Sequence, residues 1–189
     1  MLQLIKALIF LINVFFGAIA TLFLVRLLAE ANRADFHNPL SQFVYRYTNP
    51  VLAPIRRVLP NWRRINVAAV LILWLTFVVE RELIFLLLGI TPSWLGLLVL
   101  SLADLLGFVL LFYIVVIIGW SLLSMFSPDT YHPMIRLAGT IVGPLLRPLR
   151  GKLVAGNIDF SPTVVIIALV LAQILVAEPL ASFGLELAR

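Results

Sequence analysis

The chain has 189 residues, 62% hydrophobic and 12% charged, with a mean hydropathy of +1.11 and a formal charge of +5. That composition lies well outside a soluble globular domain and reads as an all-α integral membrane protein. It contains no cysteine, which excludes disulfides, thiolate chemistry and cysteine metal sites, and its basic residues sit in short loops between apolar runs, which argues against a nucleic-acid partner.

Residues 7–28 form a first apolar run long enough to cross a bilayer core of about 30 Å at ~1.5 Å per residue. Lys6 and the Ala18-Ile19-Ala20 triplet imitate a secretory signal with its cleavage site. Cleavage would translocate Arg33, Arg46, Arg56, Arg57, Arg63 and Arg64, against the positive-inside tendency, so a retained span is expected. Arg26, near the end of this run, is expected to snorkel.

The first connector follows. Asn38 and Pro39 suit a helix start, and Leu40, Phe43, Val44 and Tyr47 recur on one helical face, so a short amphipathic helix is predicted. Residues 49–60, NPVLAPIRRVLP, then set Pro50 and Pro54 four apart, which predicts a bend and places Arg56 and Arg57 at the membrane surface. A second span is expected over about 65–88, interrupted by Glu80, Arg81 and Glu82. Residues 83–103, split by Thr91-Pro92, fit two helix ends meeting at a turn, an interfacial hairpin or a re-entrant loop.

A third span is expected over about 100–125, and a second connector carries His132, Pro133 and GPLLRPLRGKLV at residues 143–154. Asp159 suits the cap of a fourth span over about 160–180, with Pro162 in its first turn.

Shifting the chain by 94 residues carries Pro39 onto Pro133, Pro50 onto Pro144, Pro54 onto Pro148 and Arg56 onto Arg150. The expected architecture is two parallel two-span repeats, residues 1–90 and 91–189, each with an amphipathic helix and a Pro/Arg turn. The two connectors carry ten basic residues against Arg81 alone between spans two and three, so the connectors should be cytoplasmic and both termini outside.

Four arginines, Arg56, Arg57, Arg147 and Arg150, are the expected contacts to anionic lipid head groups or to a partner protein. The acids Glu80, Glu82, Asp104 and Glu178 gather toward the opposite side, most simply as a solvated or paired rim. They are also the candidates for ion handling, since carboxylate rings concentrate cations. His37 and His132 have no further ligand at metal spacing, and neither a phosphate loop nor a nucleophile elbow occurs. No enzyme activity, cofactor or metal is expected.

NPLSQFVYRYTNPVLAPIRRVLP in the first half, and GPLLRPLR followed by NIDFSP in the second, resemble the two signatures of the YggT family of bacterial and plastid membrane proteins. The resemblance covers nearly the whole chain. It departs at Ile65-Asn66-Val67-Ala68, where the family pattern, kept here as Ile158-Asp159-Phe160-Ser161-Pro162, has an aspartate. The resemblance implies a bacterial inner-membrane protein that acts through partners or as a homo-oligomer, relatives being linked to cofactor assembly of a plastid cytochrome and to division or nucleoid organisation. It also implies potassium movement under osmotic stress as an alternative.

Overall fold

The computed structural model describes residues 2–126, 132–155 and 158–188; the rest of the second connector, including Asn157 of the NIDFSP motif, lies outside them. Helix α1 (Leu2–Ala31) extends past the expected span at both ends, since no proline stands between Leu2 and Ala31. It stops where Arg33 turns into the left-handed region at φ 54°.

Helix α2 (Pro39–Arg56) begins as expected. The Asn38 side chain accepts from Leu40 N at 2.9 Å, and Pro39, lacking an N–H, occupies the first turn where none is needed. The expected bend after a short helix is corrected, since one helix runs through both Pro50 and Pro54. Both prolines are exposed, while Ser41, Val44, Thr48 and Leu52 make up the buried face. An isolated bridge between Trp62 and Ile65, with Arg63 at φ 54°, reverses the chain into α3.

Helix α3 (Val67–Leu88) ends at Gly89, whose φ of 70° needs the freedom of glycine; Ile90 N donates back to Phe85 O at 3.0 Å. Helix α4 (Trp94–Phe126) follows directly, with Ser93 Oγ accepting from Gly96 N at 3.1 Å. Residues 83–103 are therefore two helix ends meeting at a turn, and the third apolar helix begins at Trp94 rather than near residue 100.

In the second half, α5 (Pro133–Leu146) is capped by His132 Nδ1, which accepts from Met134 N at 3.3 Å. It contains Pro144 and ends before Pro148. A two-residue antiparallel pair, β1 (Val154–Ala155) with β2 (Ile158–Asp159), leads into α6 (Ser161–Ala172). A π turn over Gln173–Ala177 then joins α6 to α7 (Glu178–Ala188). The last helical stretch therefore continues past residue 180. The π turn ends two residues before Pro179, whose missing N–H interrupts the regular ladder there.

Three of these helical stretches, α1, α4 and α6 through α7, are long and apolar enough to cross a membrane. The chain is a membrane protein. Helix α3 is shorter, 22 residues, and carries Glu80, Arg81 and Glu82. Large side chains such as Phe10, Phe15, Leu111 and Leu175 remain mostly exposed, as a lipid-facing surface requires.

Each half builds its own core. Ala20, Phe23, Leu24, Leu52, Ala69 and Leu73 join α1, α2 and α3, while Ile117, Val142, Leu146, Val165 and Leu169 join α4, α5 and α6. The repeat is visible in burial. Ser41, Thr48 and Leu52 of α2 are buried, and so are Ile135, Val142 and Leu146 of α5, each 94 residues on. Ala34, Leu137 and Ile141 pack between the halves, and Asn38 Nδ2 donates to Pro133 O at 2.7 Å across the same seam.

At the far end, α7 lies against α4 at a backbone-to-backbone approach. A Cβ on Gly96 would fall on the backbone of Ala188, and one on Gly184 would come within 2.8 Å of Leu100 N. Among lipid tails, burying leucine gains little over leaving it exposed, so close packing of small residues and polar pairing decide how the helices associate.

Candidate functional site

Two polar constellations stand out among the described residues once the helices are packed. One lies where α1 meets α2 and α4 leads to α5, the connector end; the other lies near the α3–α4 turn.

At the connector end of the first half, Glu30 on the last turn of α1 collects three donors. Arg56 Nη2 donates to both its oxygens at 2.7 Å, Asn66 Nδ2 donates at 2.7 Å, and Arg26 Nη2 donates at 3.3 Å. Arg26 is only 3% exposed and lies 4.0 Å from the centre of the Tyr45 ring. The expected snorkelling of Arg26 is thus corrected: a carboxylate one turn away and an aromatic face offer it partners inside the protein. Asn66 also accepts from Ala69 N at 3.1 Å, capping α3. Where the family pattern has an aspartate, Asn66 supplies the cap and Glu30 stands beside it as the nearby carboxylate. Arg56 is therefore turned inward, while Arg57 is exposed.

The second half presents the same corner differently. Arg147 and Arg150 are exposed and line a cleft of about 760 Å³ between the two connectors. Its wall also includes Arg33, Arg64, Arg136, Ser41, Trp120 and Ser124. Among the described residues Asp35 is the only acid on that wall, and it is already engaged, with Arg136 Nη2 at 3.2 Å and with the backbone N–H and ring of His37 at 2.9 and 3.2 Å. Those His37 hydrogen bonds, more than the Arg136 charge, hold its carboxyl below the usual range. Phe160, not the expected Asp159, is the cap residue of α6; Asp159, one residue earlier, accepts from Ser161 N at 2.9 Å, and its hydrogen bonding to Ser161 lowers its carboxyl pKa.

Near the α3–α4 turn, the structure brings Glu80, Asp104 and Glu178 to one pocket of about 410 Å³, together with Arg81, Asn13 and Gln173. Arg81 grips Asp104 through two nitrogens, Nη2 reaching Oδ1 at 2.6 Å and Nε reaching Oδ2. Glu80 Oε2 and Gln173 Oε1 are buried without a partner among the described residues. Glu82 is exposed and does not line this pocket. Gln173 opens the π turn, a helix defect often found at functional sites.

Of the motif prolines, Pro39 and Pro133 start α2 and α5, Pro50, Pro54 and Pro144 lie within them, and Pro148 follows α5. Sequence reasoning missed Glu30, Ser124 and Gln173. The 94-residue shift held a usable signal, since it pairs Glu30 with Ser124, an acid with a neutral residue, beside an arginine present in both copies.

The sequence pattern described as CCB3/YggT matches the chain twice, over residues 5–87 and 99–180. The chain is 33% identical over 164 residues to "Uncharacterized protein YggT" of Escherichia coli strain K12, covering 85% of this chain and 84% of that one. It is 33% identical over 162 residues to an uncharacterized protein of Pseudomonas aeruginosa, covering 84% and 82%. A Vibrio alginolyticus protein is 31% identical over 175 residues, covering 89% and 92%. No solved structure matches.

Proposed function

The chain belongs to the CCB3/YggT family, and from that premise we propose that it is a four-span accessory protein of the bacterial inner membrane. In this reading its two Pro/Arg corners face the cytoplasm and bind anionic head groups and a partner membrane protein. Support for α3 as the fourth span comes from its 22 residues, about 33 Å of helix. Its one positive charge, Arg81, is neutralised by Asp104 from the neighbouring helix.

The observation that carries the reading is the Glu30 cluster. It fastens α2 to α1 and α3 through charge-assisted bonds, so the corner is a fixed surface from which Arg57 projects, with Arg147 and Arg150 exposed on the equivalent corner. Photo-crosslinking residues placed at positions 57 and 147 in native membranes test it. Crosslinks to lipid or to a defined protein, reduced when the other corner carries Arg→Gln, are expected. Unchanged crosslinks and unchanged localisation in Arg57→Gln and Arg147→Gln would remove the basis for the proposal.

A second reading, ion movement by an oligomer, is favoured by one observation: Glu80, Asp104 and Glu178 share a pocket with the unpartnered oxygens of Glu80 and Gln173. Potassium flux into liposomes holding the purified protein, with Glu80→Gln as control, decides it. No flux, or equal flux in the variant, rejects this reading.

A further inference from the structure

The two corners differ in one respect that the repeat itself exposes. The 94-residue shift carries Arg56 onto Arg150, Arg26 onto Trp120 and Glu30 onto Ser124. In the first copy the arginine receives an internal carboxylate at 2.7 Å. In the second, Ser124 stands where that carboxylate would be. Arg150 has no carboxylate within salt-bridge distance among the described residues, and its guanidinium lies 5.8 Å from the centre of the Trp120 ring. Asp159, the acid of this copy, is bonded to Ser161 and acts on Arg150 only through space.

The consequence is a cleft whose charge is uncompensated among the described residues. Arg33, Arg64 and Arg147 also line it without a carboxylate partner among the described residues, and Asp35 is already engaged by Arg136 and His37. One further group lacks a partner. Ser41 lines the cleft, is 7% exposed, and its buried hydroxyl makes no hydrogen bond to the described residues. A buried hydroxyl without a partner is costly, so a ligand oxygen that meets it gains correspondingly.

We propose that this cleft binds a phosphate-bearing anion, held by Arg33, Arg64, Arg147 and Arg150 with Ser41 and Ser124 beside them. The anion does in the second copy what Glu30 does in the first. A carboxylate would balance one guanidinium of four, whereas a phosphate offers several oxygens to planar guanidinium forks at once and up to two charges. The cleft, about 760 Å³, is roomy enough for a whole head group as well as for free phosphate. The inference rests on the corner reading above and names the ligand chemistry of the same end.

The test uses the full chain, purified in neutral detergent and stripped of lipid, with the thermal unfolding midpoint as readout. One arm titrates inorganic phosphate against acetate at matched ionic strength. The other titrates phosphatidylglycerol in mixed micelles against phosphatidylcholine. A rise with phosphate assigns a free phosphate compound, and a rise with phosphatidylglycerol alone assigns a lipid head group; either supports the proposal. The Arg147→Gln/Arg150→Gln variant should need at least tenfold more ligand. Ser124→Glu, which installs the missing carboxylate, should raise the ligand-free midpoint and weaken the response. No response in either arm, an equal response to acetate, or an undiminished response in the double arginine variant overturns the proposal. Crosslinking reports on partners in native membranes and this titration on the isolated protein, so failure of one does not imply failure of the other.

Discussion

Removing the Glu30 carboxylate is the sharpest perturbation of the fold. In Glu30→Ala, Arg56 and Asn66 lose an acceptor at 2.7 Å and Arg26 loses its counter-ion while 97% covered. Breaking a buried ion pair by deleting one partner costs about 3–5 kcal/mol, and the 20% exposure of Glu30 places this case near ~3 kcal/mol. At about 2–4 °C per kcal/mol for a chain of this size, the unfolding midpoint should fall by roughly 6–12 °C. Tryptophan fluorescence during heating in detergent measures it, since the chain has four tryptophans. Arg56→Met should cost less, because Arg26 and Asn66 still contact Glu30. The double variant should lose about 1 kcal/mol less than the sum of the single losses. A midpoint within about 2 °C of wild type for Glu30→Ala, or strict additivity, would refute the cluster.

Other outcomes follow from the same geometry. Asn66→Asp restores the family aspartate but sets it where an amide now donates to Glu30 Oε2 at 2.7 Å, so it should destabilise at neutral pH, read by the same melt; unchanged stability would contradict the division of roles between Asn66 and Glu30. Gly96→Ala drives a methyl onto the Ala188 backbone and should cost about 1–3 kcal/mol, whereas Gly17→Ala, with nothing near its Cβ, should be tolerated. Asp159 has a depressed carboxyl pKa, so its contribution exists above the unfolded-state pKa and disappears as pH falls through the lower folded value; Asp159→Asn should melt below wild type at pH 7 and converge with it in strong acid.

Much of this fold was legible because its signals are local. Apolar length marked the helices, Asn38-Pro39 and His132-Pro133 marked two starts, and the shift pairing Leu52 with Leu146 marked two equivalent cores. What escaped was what depends on three-dimensional meeting. The chain does not advertise that Glu30 reaches Arg56 and Asn66, 26 and 36 residues away, and an arginine near a helix end reads as snorkelling until Tyr45 is found against it. Pro50 and Pro54 predict a bend because helix propensity considers the backbone alone. Leu52 and its neighbours, packed against α1 and α3, hold the helix through them. At the α3–α4 end the individual acids were visible, but not that Glu82 would stand apart while Gln173 joined the others.

The central claim is a duplicated unit whose two corners share one side of the membrane, opposite the α3–α4 turn. The chain has no cysteine, so single-cysteine variants at Arg57, Arg147 and Glu82 give an unambiguous reading with a membrane-impermeant maleimide. Labelling of positions 57 and 147 only in inside-out vesicles, and of position 82 only in spheroplasts, is the predicted pattern. Labelling of 57 and 147 from opposite sides, or of all three from the same side, would contradict it.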